Sequence, residues 1–177
     1  MEKQVKREEI YDGKVIKVVC DDVELDDSTI SKREIVLHRG GVCIGLYDNG
    51  YFHMVRQYRY AQQKEMLEFP AGKIELNENP DDAILREAVE ETGYSVKNIK
   101  SLGYVVPTCG YSSEKIYLYY GEADEYLGQN LDVDERIKTE KYTLEEIKKM
   151  IDDGTIDDAK TIALLYKLEL RNSNGKL

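Results

Sequence analysis

The chain of 177 residues predicts an α+β fold: a layered sandwich around a mixed sheet, preceded by a small N-terminal antiparallel sheet. Three observations predict it. Strand-like runs rich in β-branched and aromatic residues, separated by Gly, Asn and Asp clusters, fill the N-terminal part. A single well-capped helix interrupts the strands, and the last third reads as helical. We therefore divide the chain into N-terminal strands over 1–39 and a main domain over 40–177.

In chain order, GKVIKVVCDDVEL from Gly13 to Leu25 is strand-like, Asp26 to Thr29 marks a turn, and REIVLH from Arg33 resumes an extended pattern. Gly40 and Gly41 then punctuate the chain. VCIGLY, the turn Asp48-Asn49-Gly50 and YFHMVRQYRY form a hairpin. MLEFPAG is a short strand stopped by Pro70 and Gly72. Asn79 suits an N-cap, Pro80 the first helical position, Asp81 and Asp82 the positive end of the helix dipole, and Gly93 the stop. SLGYVV and KIYLYYGEA are further strands. Thr143 and Glu146 make a capping box for LEEIKKMIDD, with Gly154 after it. DDAKTIALLYKLEL is a last helix with a broad apolar stripe, and the tail RNSNGKL is expected to fray.

Composition excludes several classes of function. The net charge of −10 disfavours a general nucleic-acid binder, which needs basic side chains to collect phosphates. Cys20, Cys43 and Cys109 are odd in number and contain no C-x-x-C pair, so neither a disulfide framework nor a zinc ribbon is implied; Cys43 reads as a core residue. No G-x-x-x-x-G-K-[ST] loop occurs, and the acidic stretch around Asp132 and Asp134 lacks the glycine of an EF-hand. The charged N-terminus is no signal peptide and no apolar run spans a membrane, so the expected setting is cytoplasmic.

The chemistry concentrates on the capped helix. With Glu87 as the zero of angle, Glu90 falls about 60° to one side and Glu91 about 40° to the other, so three carboxylates crowd one face. Leu85, Ala88, Val89 and Thr92 fall roughly opposite and are expected to pack on the sheet. Like charges at this spacing repel, and Arg86 relieves only part of the repulsion. A hard divalent cation would relieve all of it, because Mg²⁺ takes carboxylate oxygens and shares its other positions with water and phosphate. Taken alone, E-x-x-E-E is also the pattern of a solvated acidic face.

The longer pattern is Gly72-x5-Glu78-x7-Arg86-Glu87-Ala88-x-Glu90-Glu91-x-Gly93-Tyr94. It resembles the Nudix box, with Ala88 and Tyr94 standing where that motif prefers bulky aliphatic residues. The resemblance implies a Nudix-type α/β/α sandwich and hydrolysis of a nucleoside diphosphate linked to another group, with Mg²⁺ or, as a substitute, Mn²⁺. By similarity, Glu87, Glu90, Glu91 and the backbone carbonyl of Ala71 would hold the metal, and Glu90 would also serve catalysis. Gly72, Glu78, Arg86 and Gly93 would be structural, with Glu78 paired to Arg86.

The flanks VRQYR (55–59), LEFPAG (67–72), REIVLH (33–38) and DAKTIALL (158–165) resemble the ADP-ribose pyrophosphatase branch of that family. In that branch a proline loop follows the box; here it is Val106 to Lys115, and Thr108-Cys109-Gly110 departs from the usual wording. By similarity Glu114 would activate the attacking water or add a metal ligand, Arg59 would contact the diphosphate ahead of Arg56, Glu68 would hold a ribose hydroxyl, and Arg33 and Glu34 would lie near the adenine. His38 is placed near the adenosine by position, whereas His53 reads as a strand-surface residue. The branch also implies a homodimer that exchanges N-terminal strands. The substrate reading is ADP-ribose, cleaved to AMP and ribose 5-phosphate. Its rivals are another nucleotide sugar such as GDP-mannose, a dinucleotide, and a module that binds ADP-ribose without cleaving it.

Overall fold

The structure is a computed structural model that describes residues 1–131, 133 and 135–175. Asp132 and Asp134 of the acidic stretch, and the last two residues of the tail, lie outside the described residues. The chain divides into two compact units: Met1–Gly40 with Val106–Lys115, and Gly41–Val105 with Ile116–Leu177. The loop 106–115 thus belongs to the first unit.

The first unit is a three-stranded antiparallel sheet, β1 (Lys3–Asp12), β2 (Lys17–Glu24) and β3 (Ile30–Leu37), in that order. The sequence expectation began the meander at Gly13 and missed β1. Every residue of β1 is exposed, so no alternation of apolar and polar residues marks it. Arg7 fastens β1 to β2 by a two-pronged pair with Asp21, at 2.8 and 2.7 Å. The loop 106–115 joins β3 through the Val36 amide to the Tyr111 carbonyl (2.7 Å) and the Ser113 amide to the Val36 carbonyl (2.9 Å).

The second unit is built on a mixed sheet of seven strands. Its main path is β10 (Ile137–Tyr142), β5 (Tyr51–Arg59), β4 (Gly41–Asp48), β9 (Ile116–Tyr126) and β8 (Tyr94–Val105). The β4–β9 contact is parallel and the others are antiparallel. Asn49 (φ 48°) and Gly50 (φ 96°) both take the left-handed backbone that a two-residue hairpin demands. β4 and β5 pair only from Leu46 to Asp48 and then diverge. Into the opening goes the bend between β6 (Lys64–Glu68), which pairs with β5, and β7 (Ala71–Lys73), which pairs with β4. The Ile44 amide closes this wedge on the Pro70 carbonyl at 3.0 Å.

Strand β4 is buried on both faces, and its alternation sorts the two cores. Val42, Ile44 and Leu46 pack with Ala83, Ile84 and Ala88 of α1 (Pro80–Thr92). On the other face, Cys43, Phe52, Met54 and Phe69 pack with Ile147 of α2 (Leu144–Asp152) and with Leu164, Leu165 and Leu168 of α3 (Ala159–Ser173). The result is the α/β/α sandwich. At Gly45 a β-carbon would stand 3.0 Å from methyl groups of both Leu164 and Leu168, so α3 sits directly on the strand.

Three further differences have physical causes. Strand β10 escaped the sequence reading because only Ile137 of its six residues is buried and it alternates only weakly. The tail does not fray at Arg171: α3 runs on to Ser173, secured one turn earlier by the buried Leu168. His53 is not on a strand surface but buried, 1% exposed, because β5 is an interior strand and the Tyr94 ring lies 4.8 Å away. Burial holds its imidazole below the usual range, and among the described residues neither ring nitrogen has a hydrogen-bond partner, the Asp48 carboxylate standing 3.6 Å from Nε2.

Leu164 is wholly buried, so Leu164→Ala leaves a cavity under β4. We expect a loss of about 3 kcal/mol in urea unfolding, read as a lower midpoint at an unchanged slope.

Candidate functional site

Helix α1 opens as its caps dictate. The Asn79 side chain accepts the Asp82 amide at 2.9 Å, and Gly93 closes the helix in left-handed backbone (φ 81°). A β-carbon at Gly93 would also collide with the Tyr126 ring at 2.5 Å, so two independent constraints require glycine there.

The buried stripe of α1 is Ala83, Ile84, Ala88, Glu91 and Thr92, not the stripe expected from Leu85 and Val89. Leu85 is 40% exposed, whereas Glu91 is 3% exposed. The carboxylates therefore do not face away from the sheet. Two of them are turned into the same side as the apolar residues, against the β6–β7 bend. The helix is rotated this way because Glu91 Oε2 accepts the Ala71 amide at 2.8 Å. Gly72 completes the cradle. A β-carbon on it would lie 1.8 Å from the carboxyl carbon of Glu87, so any larger residue would displace that side chain.

Arg86 ties the rest of the acidic set together. Its Nε and Nη2 donate to Glu78, both at 2.9 Å, and its Nη1 donates to Glu87 (2.9 Å) and Glu90 (2.8 Å). Nη2 also reaches the Lys73 carbonyl at 3.1 Å. Glu78 in turn accepts the Glu75 amide, so the loop before α1 is latched to its middle. With Glu87 and Glu90 turned toward Arg86 and Glu91 toward Ala71, no three histidine, cysteine or carboxylate side chains among the described residues converge as a preformed metal cage.

The electrostatics still suit a cation. Burial pushes the Glu87 carboxyl up to about 7, with Arg86 offsetting part of the rise. Burial likewise pushes Glu91 up to about 8, against the Ala71 hydrogen bond, with the charge of Glu87 adding to the rise. Buried carboxylates short of positive charge are what an oxygen-seeking divalent cation relieves. The donor set and the glycine cradle therefore fit a Mg²⁺-type ion.

Arg59 and Glu68 lie in the same unit, where β5 and β6 pair. Arg59 Nε and Nη2 each donate to Glu68 at 2.7 Å. Lys160, at the start of α3, donates to Glu68 Oε2 and to Asp158 Oδ2. Burial by itself would raise the Glu68 carboxyl, but Arg59 and Lys160 outweigh it and hold the group at about 2. Arg56 points elsewhere: it forms a two-pronged pair with Glu140 on β10, at 2.6 and 3.0 Å. The sequence reading did not single out Lys160 or Thr161; their only signal was the tetrad DAKT, a helix start carrying a cation.

The remaining sequence-derived residues belong to the first unit. Arg33 donates to Glu2 and to Ser31, and Glu34 is exposed on β3. Glu114 is half-buried, its amide accepted by Ser112 Oγ at 3.1 Å, and its carboxylate stands 3.5 Å from His38 Nδ1. That nitrogen accepts the Gly40 amide at 3.0 Å.

The model of the NUDIX domain matches residues 37–165. A Bacillus subtilis protein named ADP-ribose pyrophosphatase is 35% identical over 97% of this chain and 95% of its own. A Bacillus methanolicus protein named methanol dehydrogenase activator is 38% identical over the same shares. A Pectobacterium atrosepticum GDP-mannose pyrophosphatase is 33% identical over 78% of this chain and 77% of its own. Among solved structures, one described as an ADP compounds hydrolase superposes with a TM-score of 0.86 at 18% identity, covering 99% of this chain and 97% of that one, a likeness of fold.

The Glu68 cluster yields a pH signature. The carboxyl is depressed from 4.5 in the unfolded chain to about 2, so its contribution is complete above pH 4.5 and is lost as pH falls toward 2. Glu68→Gln leaves Arg59 and Lys160 without their buried counter-charge. We expect it to cost about 3 kcal/mol at pH 7, with the gap to wild type closing below pH 4.5 in urea unfolding.

Proposed function

The chain belongs to the Nudix hydrolase family, and from that premise we propose that it is a Mg²⁺-dependent pyrophosphatase that cleaves ADP-ribose to AMP and ribose 5-phosphate. The observation that carries the reading is the acidic face of α1, seated on Ala71 and Gly72. The near full-length similarity to a protein named ADP-ribose pyrophosphatase supports the choice of substrate.

In this reading Glu87, Glu90, Glu91 and the Ala71 carbonyl hold Mg²⁺, or Mn²⁺ in its place. When bound there, such a cation would neutralise the diphosphate and make water a better nucleophile at neutral pH. Arg86 keeps Glu87 and Glu90 from repelling each other apart while braced on Glu78. Arg59 offers the diphosphate a planar fork of donors, of which Glu68 engages only part. Glu114 is assigned the proton from the attacking water on its place in the loop after the box. Glu68 near the ribose, and Arg33 and Glu34 near the adenine, remain assignments by similarity. A second reading, the same chemistry on GDP-mannose, is favoured by the relatives of that name.

The protein is further proposed to be a cytoplasmic homodimer without nucleic-acid partners. No helix among the described residues is long and apolar enough to cross a membrane. The N-terminal sheet leaves Val5, Ile10 and Tyr11 of β1 exposed, and its face carries a cavity of about 480 Å³ lined by Ile10, Val18, Cys20, Val36 and Tyr111. Such a patch on a solvent-facing sheet is a contact surface in search of a partner. Sedimentation is expected to give twice the 20.4 kDa chain mass, and Ile10→Asp to shift the equilibrium to monomer.

The activity test is product analysis with Mg²⁺ on ADP-ribose, GDP-mannose and a dinucleotide. AMP and ribose 5-phosphate from ADP-ribose are expected, with turnover abolished by chelator and reduced about a hundredfold or more in Glu91→Gln. Glu114→Gln should lower kcat by about two orders of magnitude while Mn²⁺ binding is retained. Faster cleavage of GDP-mannose would replace the substrate, and binding of ADP-ribose without turnover would replace the enzyme by a sensor.

A further inference from the structure

The bend that carries the acidic site is also held from the other face of the sheet, by the first turn of α3. Thr161 Oγ1 donates to Asp158 Oδ2 at 2.6 Å and accepts the Phe69 amide at 2.9 Å. One residue earlier in the bend, Glu68 receives Lys160; two residues later, the Ala71 amide is given to Glu91. Three successive anchor points thus set the path from β6 to β7.

Lys160 is the second cation on Glu68, beside Arg59. Its side chain is 13% exposed and that of Glu68 2%, whereas that of Arg59 is 37% exposed. Arg59 is thus the most exposed member of the cluster. Of its five N–H groups, two are committed to Glu68, which among the described residues leaves three for a ligand. Where those three point depends on the plane of the Glu68 carboxylate, because the two-pronged pair makes the planes of the two groups follow each other. The terminal torsion of a glutamate is broad and roughly two-fold, so one cation does not fix it. A second cation on Oε2, itself steadied by Asp158 at 2.9 Å, does.

We infer that Lys160 is a positioning residue for substrate binding: by clamping Glu68 Oε2 it fixes the carboxylate against which Arg59 is oriented, so that Arg59 presents its remaining N–H groups to the anionic diphosphate. The inference rests on the reading of Arg59 as a diphosphate contact. It differs from a plain ion pair anchoring α3 to β6, which would stabilise the fold without reference to Arg59.

A double-mutant cycle separates the two. The affinity for ADP-ribose is measured by calorimetry in chelator, where nothing is turned over, and KM and kcat are measured with Mg²⁺. Lys160→Met is expected to weaken binding and raise KM about tenfold with kcat changed less than about threefold, and Lys160→Arg to recover most of the loss. In an Arg59→Ala background the same Lys160→Met change should add less than about twofold, because its effect travels through Arg59. An equal loss in both backgrounds, or none in either, overturns the inference. If Lys160→Met does not fold, Lys160→Gln carries the comparison. Hydrogen exchange at Arg59 Nε, read by ¹⁵N NMR, tests positioning without any substrate: exchange should speed up about tenfold in the lysine variant, and an unchanged rate overturns the proposal. If the wild-type protein neither binds nor cleaves ADP-ribose, the substrate reading fails, and the Nε exchange still decides the role of Lys160.

Discussion

Turning ionisable carboxylates toward a sheet is costly, since burial in low dielectric opposes their charge, and the second unit is arranged around that cost. The bond from the Ala71 amide to Glu91 is where the cost is accepted. It sets the rotation of α1, which brings Glu87 over Gly72 and leaves Leu85 in solvent. It also requires the β6–β7 bend to lie within reach of the helix. That is possible only because β4 and β5 part after three paired residues and the bend fills the opening. A helix packed by hydrophobicity alone would have turned Leu85 inward and the acidic residues out.

The two faces of the sheet are coupled through this one bend. From the α1 side it is held by Glu91, and from the α3 side by Thr161 and Lys160. Arg86 and Arg59 play parallel parts at its two ends. Each is a guanidinium with carboxylate partners, and each keeps acidic groups compatible with a crowded site. They differ in what they leave free: Arg86 is committed to three carboxylates and a carbonyl, whereas Arg59 is committed to one carboxylate and is open to solvent. The first is suited to bracing and the second to meeting a ligand.

Elements whose signals are local were legible. The caps of α1 and α2, the Asn49-Gly50 turn and the buried strand β4 depend on backbone conformation and short-range pattern, and each appears in the sequence at the expected residues. Strands β1 and β10 were not legible, because an exposed strand is specified by its neighbour's backbone and not by its own side chains. His53 misled for the converse reason: a polar residue in an alternating strand reads as outward, while its burial depends on β10 and Tyr94, far away in the chain.

By itself the sequence determined the acidic constellation of the box, the family it resembles and the places of the capped helices, because residue identity and spacing carry those directly. Only the tertiary structure decided which way α1 is turned, that Gly72 is the floor beneath Glu87, and that a lysine ninety-two positions from Glu68 shares its charge. Those are contacts between segments remote in the chain. Periodicity reports which side of a helix is apolar, but a hydrogen bond to a bend on another strand decides which side is buried.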